Sequence, residues 1–165
     1  MVKRILFATD LGLYGPYLMK RVAELASSTG AVVDVLHVVE PMGVFAESII
    51  NTYVPEKERQ YLREQGMEEV LERIRLQVLD AIKADYDSSG FTIDDVVVEQ
   101  GSAASTIIAQ AQLRQADLIA LGSHGQQAYR GGLIGSVVAK VLQMSPIPVY
   151  MVPMVSLSDL GRKHD

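Results

Sequence analysis

The sequence predicts a single-domain α/β fold: a five-stranded parallel sheet with helices on both faces. Three observations carry this. Short apolar runs alternate with stretches whose apolar residues recur at helical spacing. The runs are apolar at nearly every position, as in strands buried on both sides. A glycine-rich stretch, Gly122 to Ser136, lies between one such run and a helix-forming segment.

The elements follow in order. Ile5-Leu6-Phe7-Ala8 is the first strand, and Leu18, Val22, Leu25 and Ala26 form one stripe of a helix that Gly30 stops. Val32 to Val39 is the second strand. Met67, Val70, Leu71, Ile74, Val78, Ala81 and Ile82 mark a second helix, and the β-branched run Val96-Val97-Val98 a third strand. Ala104, Ile107, Ile108 and Ala111 mark a third helix. Leu118 to Leu121 is the fourth strand, the segment after Gly135 the fourth helix, and Pro148 to Val152 the last strand. Such sheets bind ligands beyond the carboxyl ends of their strands, where the winding reverses. In the order 3-2-1-4-5, Asp10 and Gly122 become neighbours at that point.

Two segments fall outside the pattern. Pro41 to Pro55 is a long connection rich in apolar residues (Met42, Val44, Phe45, Ile49, Ile50, Tyr53, Val54), either a lid or contact surface or an ordinary packed loop. Residues 156–165 are expected to form a polar C-terminal tail after a domain of residues 1–155.

Composition narrows the function. The formal charge is −5, with 20 acidic against 15 basic residues, unlike the basic footprint of nucleic-acid binders. No apolar run approaches the roughly 20 residues that span a bilayer. The start of the chain lacks the features of a signal peptide. With no cysteine, disulfides, thiolate metal sites and thiol catalysis are excluded. These traits predict a cytoplasmic protein that is neither membrane-embedded nor bound to nucleic acid. The three histidines, His37, His124 and His164, show no metal-ligand spacing. His37 is expected to pack in or beside strand 2.

Glycine is costly to order, so Gly122, Gly125, Gly131, Gly132 and Gly135 between a strand and a helix need a reason. A strand, a glycine loop and a helix make a phosphate site: loop amides face the anion, and the helix adds its unpaired N–H groups and positive dipole end. The alternative is a tight surface turn. Ser136 either caps the helix or gives its hydroxyl to a phosphate oxygen. GxxxxGK[ST] is absent because no Gly-Lys pair occurs. GxGxxG is absent too, since Asp10 stands where its first glycine belongs in Asp10-Leu11-Gly12-Leu13-Tyr14-Gly15.

Gly122-x-x-Gly125, nine residues, then Gly135-Ser136 resembles the G-2x-G-9x-G-[S/T] motif of the ATP-binding universal stress proteins. Arg4 to Asp10, ending in Thr9-Asp10, resembles the family's opening strand, and Leu36-His37-Val38-Val39 its second. Ala116 to Gly125 with Gly135-Ser136-Val137 resembles its glycine signature, and Pro146 to Val152 its closing strand. The resemblance implies a Rossmann-like fold of the adenine nucleotide alpha hydrolase kind, in strand order 3-2-1-4-5. It also implies a homodimer or tetramer through the last strand, and ATP as ligand, with Mg²⁺ or Mn²⁺. By that resemblance Ala8, Thr9, Asp10 and the Val38 backbone meet the adenosine. Gly122, Ser123, His124, Gly125, Gly135, Ser136 and Val137 surround the ribose and phosphates, with bare glycines permitting close approach. Chemistry agrees: an ionised Asp10 would repel a triphosphate but accepts bonds from ribose hydroxyls or an adenine amino group. Gly12, where the family often has Ser, and the glycine pair at 131–132 depart from the pattern. Arg130 either reaches a terminal phosphate or stays solvated, and His124 either touches phosphate or is a plain loop residue.

No catalytic residue is assigned. Hydrolysis of ATP needs a positioned water and groups that stabilise the transferring phosphoryl, whereas Asp10 is the one carboxylate placed near the pocket. A phospho-acceptor role for Asp10 would need a second acid beside it and a lysine ending the fifth strand; residues 8–12 hold one acid, and Val152-Pro153 has no lysine. The expected function is a stress-response regulatory module that responds to nucleotide and is read by a protein partner. The alternative is a slow ATPase or other nucleotide hydrolase on the same fold.

Overall fold

The computed structural model of the chain describes residues 1–12, 15–86, 91–123 and 134–154. Five parallel strands form one sheet, as the sequence predicts, in the order β3-β2-β1-β4-β5 that the family resemblance implies. They are β1 (Arg4–Ala8), β2 (Val32–Val39), β3 (Thr92–Gln100), β4 (Leu118–Gly122) and β5 (Val149–Val152). In the central strand Ile5, Leu6 and Phe7 are all buried, because helices cover both faces and alternation has nothing to sort. Ile5 and Phe7 pack with Val33 and Val35 under α1 (Gly15–Thr29) and α4 (Met67–Tyr86). On the other face Leu6, Leu36 and Ile119 pack under α5 (Ala103–Leu113) and α6 (Ser136–Met144).

The helix α1 buries Leu18, Met19, Val22, Ala23 and Ala26, the stripe at helical spacing. It ends at Gly30, whose φ of +71 lies where a side chain is strained, and the Ala31 amide closes the turn on the Ala26 carbonyl.

Two elements differ from the sequence reading. The strand β3 runs from Thr92 to Gln100, well beyond Val96–Val98. Its first half is polar because it meets charge: Asp94 pairs with Arg4 at 2.8 Å and Asp95 with Arg114 at 2.8 Å. A register shift at Val33/Asp34 sets Asp34 opposite Asp95. The Pro41–Pro55 connection is also largely helical. It holds α2 (Val44–Tyr53), followed by α3 (Glu56–Tyr61) and a π-helical turn at Leu62–Gly66 that runs into α4. No residue of α2 is buried, so no apolar face against a core marked it as a helix.

Candidate functional site

The carboxyl ends of β1, β2 and β4 open into a cleft of about 550 Å³, within the range of about 300–1,000 Å³ common for small-molecule sites. Ala8, Thr9 and Asp10 line it from β1 and the turn after it, and Val38 from β2. Gly122 lines it from the end of β4, and Gly135, Ser136 and Val137 from the entrance of α6. Eight residues expected at the site therefore surround one space, although sequence separates the first from the last by more than a hundred positions.

The turn after β1 presents Asp10. Its Oδ1 accepts the Gly12 amide at 2.9 Å, and Thr9 Oγ1 accepts the Leu11 amide at 3.1 Å. Leu11 sits at φ +59, a left-handed conformation uncommon for a bulky side chain. Such strain costs on the order of 1–3 kcal/mol and persists where neighbouring bonds over-determine it. Here the two side-chain acceptors do so.

At the entrance of α6, Gly135 is the N-cap, with φ −61 and ψ 154 and no side-chain cap. The Gly135 amide bonds the Ser123 carbonyl at 2.8 Å, and the first helical bond is Ala139 N–H to the Gly135 carbonyl. The amides of Ser136, Val137 and Val138 thus have no acceptor within the helix, and all three residues line the cleft. Ser136 is the first helical residue, not the cap, which removes one of its two expected roles. Any residue adopts the backbone conformation of Gly135, so the turn itself does not demand glycine there.

Gly122 has a packing reason for its bareness as well as the ligand approach expected of it. A Cβ there would lie 3.1 Å from Leu18 Cδ1 and 3.2 Å from Met154 Sδ. On this side the position is crowded by α1 and by the chain leaving β5. Ser123, also expected at the site, is buried and turned toward β5: its amide bonds the Val152 carbonyl, and its Oγ accepts the Met154 amide, each at 2.9 Å. His124, Gly125 and Arg130 lie outside the described residues, as do residues 156–165.

Sequence reasoning missed several neighbours of the cleft. Ala103 and Ile107 of α5, Leu18 of α1, Glu40 and His37 also line it. His37 lies in β2, half-buried as expected, but its Nδ1 also stands 2.9 Å from the Thr9 carbonyl. Adjacency to Val38 at the end of a strand was the available sign. None of residues 41–55 lines the cleft.

A second cavity of about 250 Å³ lies beside Phe7, Val35, Met19 and Val78. Its wall is mostly apolar and it lacks the amides and carboxylate of the cleft. Thr9 borders both. Among the described residues no group of three or more His, Asp or Glu is placed to hold a metal ion, and no helix is long and apolar enough to cross a membrane.

The profile of the universal stress protein family matches residues 1–153. A universal stress protein of Thermus aquaticus, in the QAH/OAS sulfhydrylase 3′ region, is 32% identical over 157 residues, 92% of this chain and 99% of its own. Universal stress protein MJ0577 of Methanocaldococcus jannaschii is 27% identical over 161 residues, 92% of this chain and 95% of its own. The solved structure of MJ0577 aligns at a TM-score of 0.70 and 26% identity, over 94% of this chain and 99% of that one. A universal stress protein solved in complex with cAMP aligns at a TM-score of 0.58 and 19% identity, over 93% and 98% of the two chains, a likeness of fold.

Proposed function

We propose that this chain, which belongs to the universal stress protein family, is an adenine-nucleotide-binding regulatory module with ATP as its ligand. One observation carries the reading: the uncapped entrance of α6 and the acceptor-bearing ends of β1 and β2 face a single cleft. Unpaired amides and the positive helix end suit phosphate, and the bare Gly135 lets an anion approach them. The Ser136 hydroxyl, with no partner among the described residues, adds a donor. The Asp10 carboxylate suits ribose hydroxyls or an amino group, and the Val38 backbone a base edge. Ala8 and Thr9 wall the same end. The cAMP complex of one neighbour supports a nucleotide on this fold. Mg²⁺ or Mn²⁺ would travel with the phosphates, held by their oxygens and water rather than by a cage of side chains.

Regulation follows if ATP binds two states of the protein with different affinity, since occupancy shifts an equilibrium only by that difference. In this reading the module is a cytoplasmic homodimer, joined along β5, which lies at the rim of the sheet with β4 on one side, and a protein partner reads its state. Residues 1–155 are the module and 156–165 its tail.

Calorimetry of wild type and Gly135→Val with ATP tests the reading. Wild type is expected to bind, and the folded variant to lose on the order of 50-fold in affinity, from the loss of charge-assisted bonds, with only a small drop in Tm because Val is a poorer N-cap than Gly. Equal, negligible binding by both would refute it. Nucleotide recovered from heat-denatured purified protein decides between binding and turnover: intact ATP supports the module, and ADP with multiple-turnover phosphate release supports the hydrolase.

A further inference from the structure

We propose that His37 is a positioning residue that ends the β1–β2 ladder one step early and so reserves the Val38 backbone for a base edge. This rests on the nucleotide reading above and deepens it. In a parallel pair, a strand residue that turns its carbonyl toward a neighbour turns its N–H the same way, and the residue two positions on repeats this. The Leu36 carbonyl faces β1, accepting the Thr9 amide at 2.9 Å. The Val38 N–H and carbonyl therefore face that side as well. The next rung of the ladder would join the Val38 amide to the Thr9 carbonyl. Among the described residues no such bond is made: the Thr9 carbonyl faces the His37 imidazole, with Nδ1 2.9 Å away.

A carbonyl oxygen only accepts, so this contact requires the proton on His37 Nδ1. The side chain thus substitutes for the backbone amide of its own neighbour. Two consequences follow. The turn after Thr9 is pinned at its first carbonyl, while Thr9 Oγ1 and Asp10 Oδ1 pin the amides of Leu11 and Gly12. And Val38, which lines the cleft, keeps a donor and an acceptor side by side. That pair complements the adjacent acceptor and amino donor of adenine and mismatches hypoxanthine, which carries an N–H and a carbonyl there.

The test uses the full chain, with His37→Leu and His37→Asn, whose side-chain amide donates from nearly the position of Nδ1. ATP and ITP affinities are measured by calorimetry, and imidazole and amide ¹⁵N spectra are recorded without ligand. Wild type should show the Nδ1–H tautomer, slow exchange at Leu11 and Gly12, and a preference for ATP over ITP. His37→Leu should lose on the order of tenfold in ATP affinity, much less for ITP, so that the preference collapses. His37→Asn should restore most of it. A folded His37→Leu protein that keeps the wild-type preference overturns the proposal, and so does a wild-type Nδ1 without its proton. A wild type that binds no ATP would instead sink the nucleotide reading. The His37 arrangement would then stand or fall on the tautomer and on Leu11 and Gly12 exchange, which need no ligand.

Discussion

At the amino ends of the strands, Asp34 is fully buried and its Oδ2 takes Arg4 Nη1 at 2.7 Å, with Arg114 Nη1 at 3.5 Å. Arg4 also reaches Asp94, and Arg114 reaches Asp95. Asp117 completes that end by accepting the Lys3 and Arg4 amides at 2.7 and 3.0 Å. At the carboxyl ends of the same strands, the first-turn amides of α6 have no acceptor in their helix, and Asp10 lies exposed beside a cleft. The difference separates charge used to hold the sheet from polar groups that line an open cleft. One end is tied together by ion pairs, and the other leaves helix amides and a carboxylate lining an open cleft.

The comparison breaks most readily at Arg4. Asp34 Oδ1 is buried with no hydrogen-bond partner among the described residues, so removing the nearer cation leaves a carboxylate with little else. Arg4→Ala is expected to cost about 3 kcal/mol in urea unfolding, as for other broken buried pairs, with ATP affinity of the folded protein unchanged. Asp94→Ala, which removes a half-exposed partner, should cost under about 1 kcal/mol. Equal costs would show that burial of Asp34 is not what makes the network matter.

Ser136→Ala addresses the other end. Because Gly135, not Ser136, is the cap, the variant should unfold at the wild-type urea midpoint while binding ATP about five- to tenfold more weakly. A loss of stability with binding intact would return Ser136 to a capping role.

The smallest effect is expected at Asp117. The backbone amide of Lys3, and after it that of Arg4, holds this carboxyl below its ordinary value. A carboxyl lowered by folding contributes stability that is fully present above the unfolded value of about 3.9 and lost as pH falls through the folded one. Asp117→Asn should therefore be slightly less stable than wild type at pH 7, and the gap should close as the solution is acidified below about pH 4. A gap that widens in acid would contradict the sign.

The sheet was legible because its central strands are continuously apolar and its helices carry stripes at the right period. Asp10 and Gly122 were legible as neighbours at the cleft because parallel sheets open a crevice at those strand ends, where the winding reverses. Other features depend on partners distant in sequence. The polar half of β3 makes sense only once Arg4 and Arg114 stand beside Asp94 and Asp95. The exposed apolar residues of α2, such as Phe45 and Tyr53, give no core-facing stripe to read. Ser123 sits inside a motif suggesting ligand contact, yet its hydroxyl serves Met154, 31 residues later. His37 looked like a packed strand residue because nothing in the sequence says that the ladder stops at Thr9.

Ser123 is also a junction. Its carbonyl receives the amide that opens α6, its own amide goes to the last residue of β5, and its hydroxyl holds the chain two residues further on. The doorway of the cleft and the outermost strand are thus fastened to the same residue. Neither can shift without straining a bond to the other, so any displacement at the entrance of α6 is passed directly to the edge strand of the sheet.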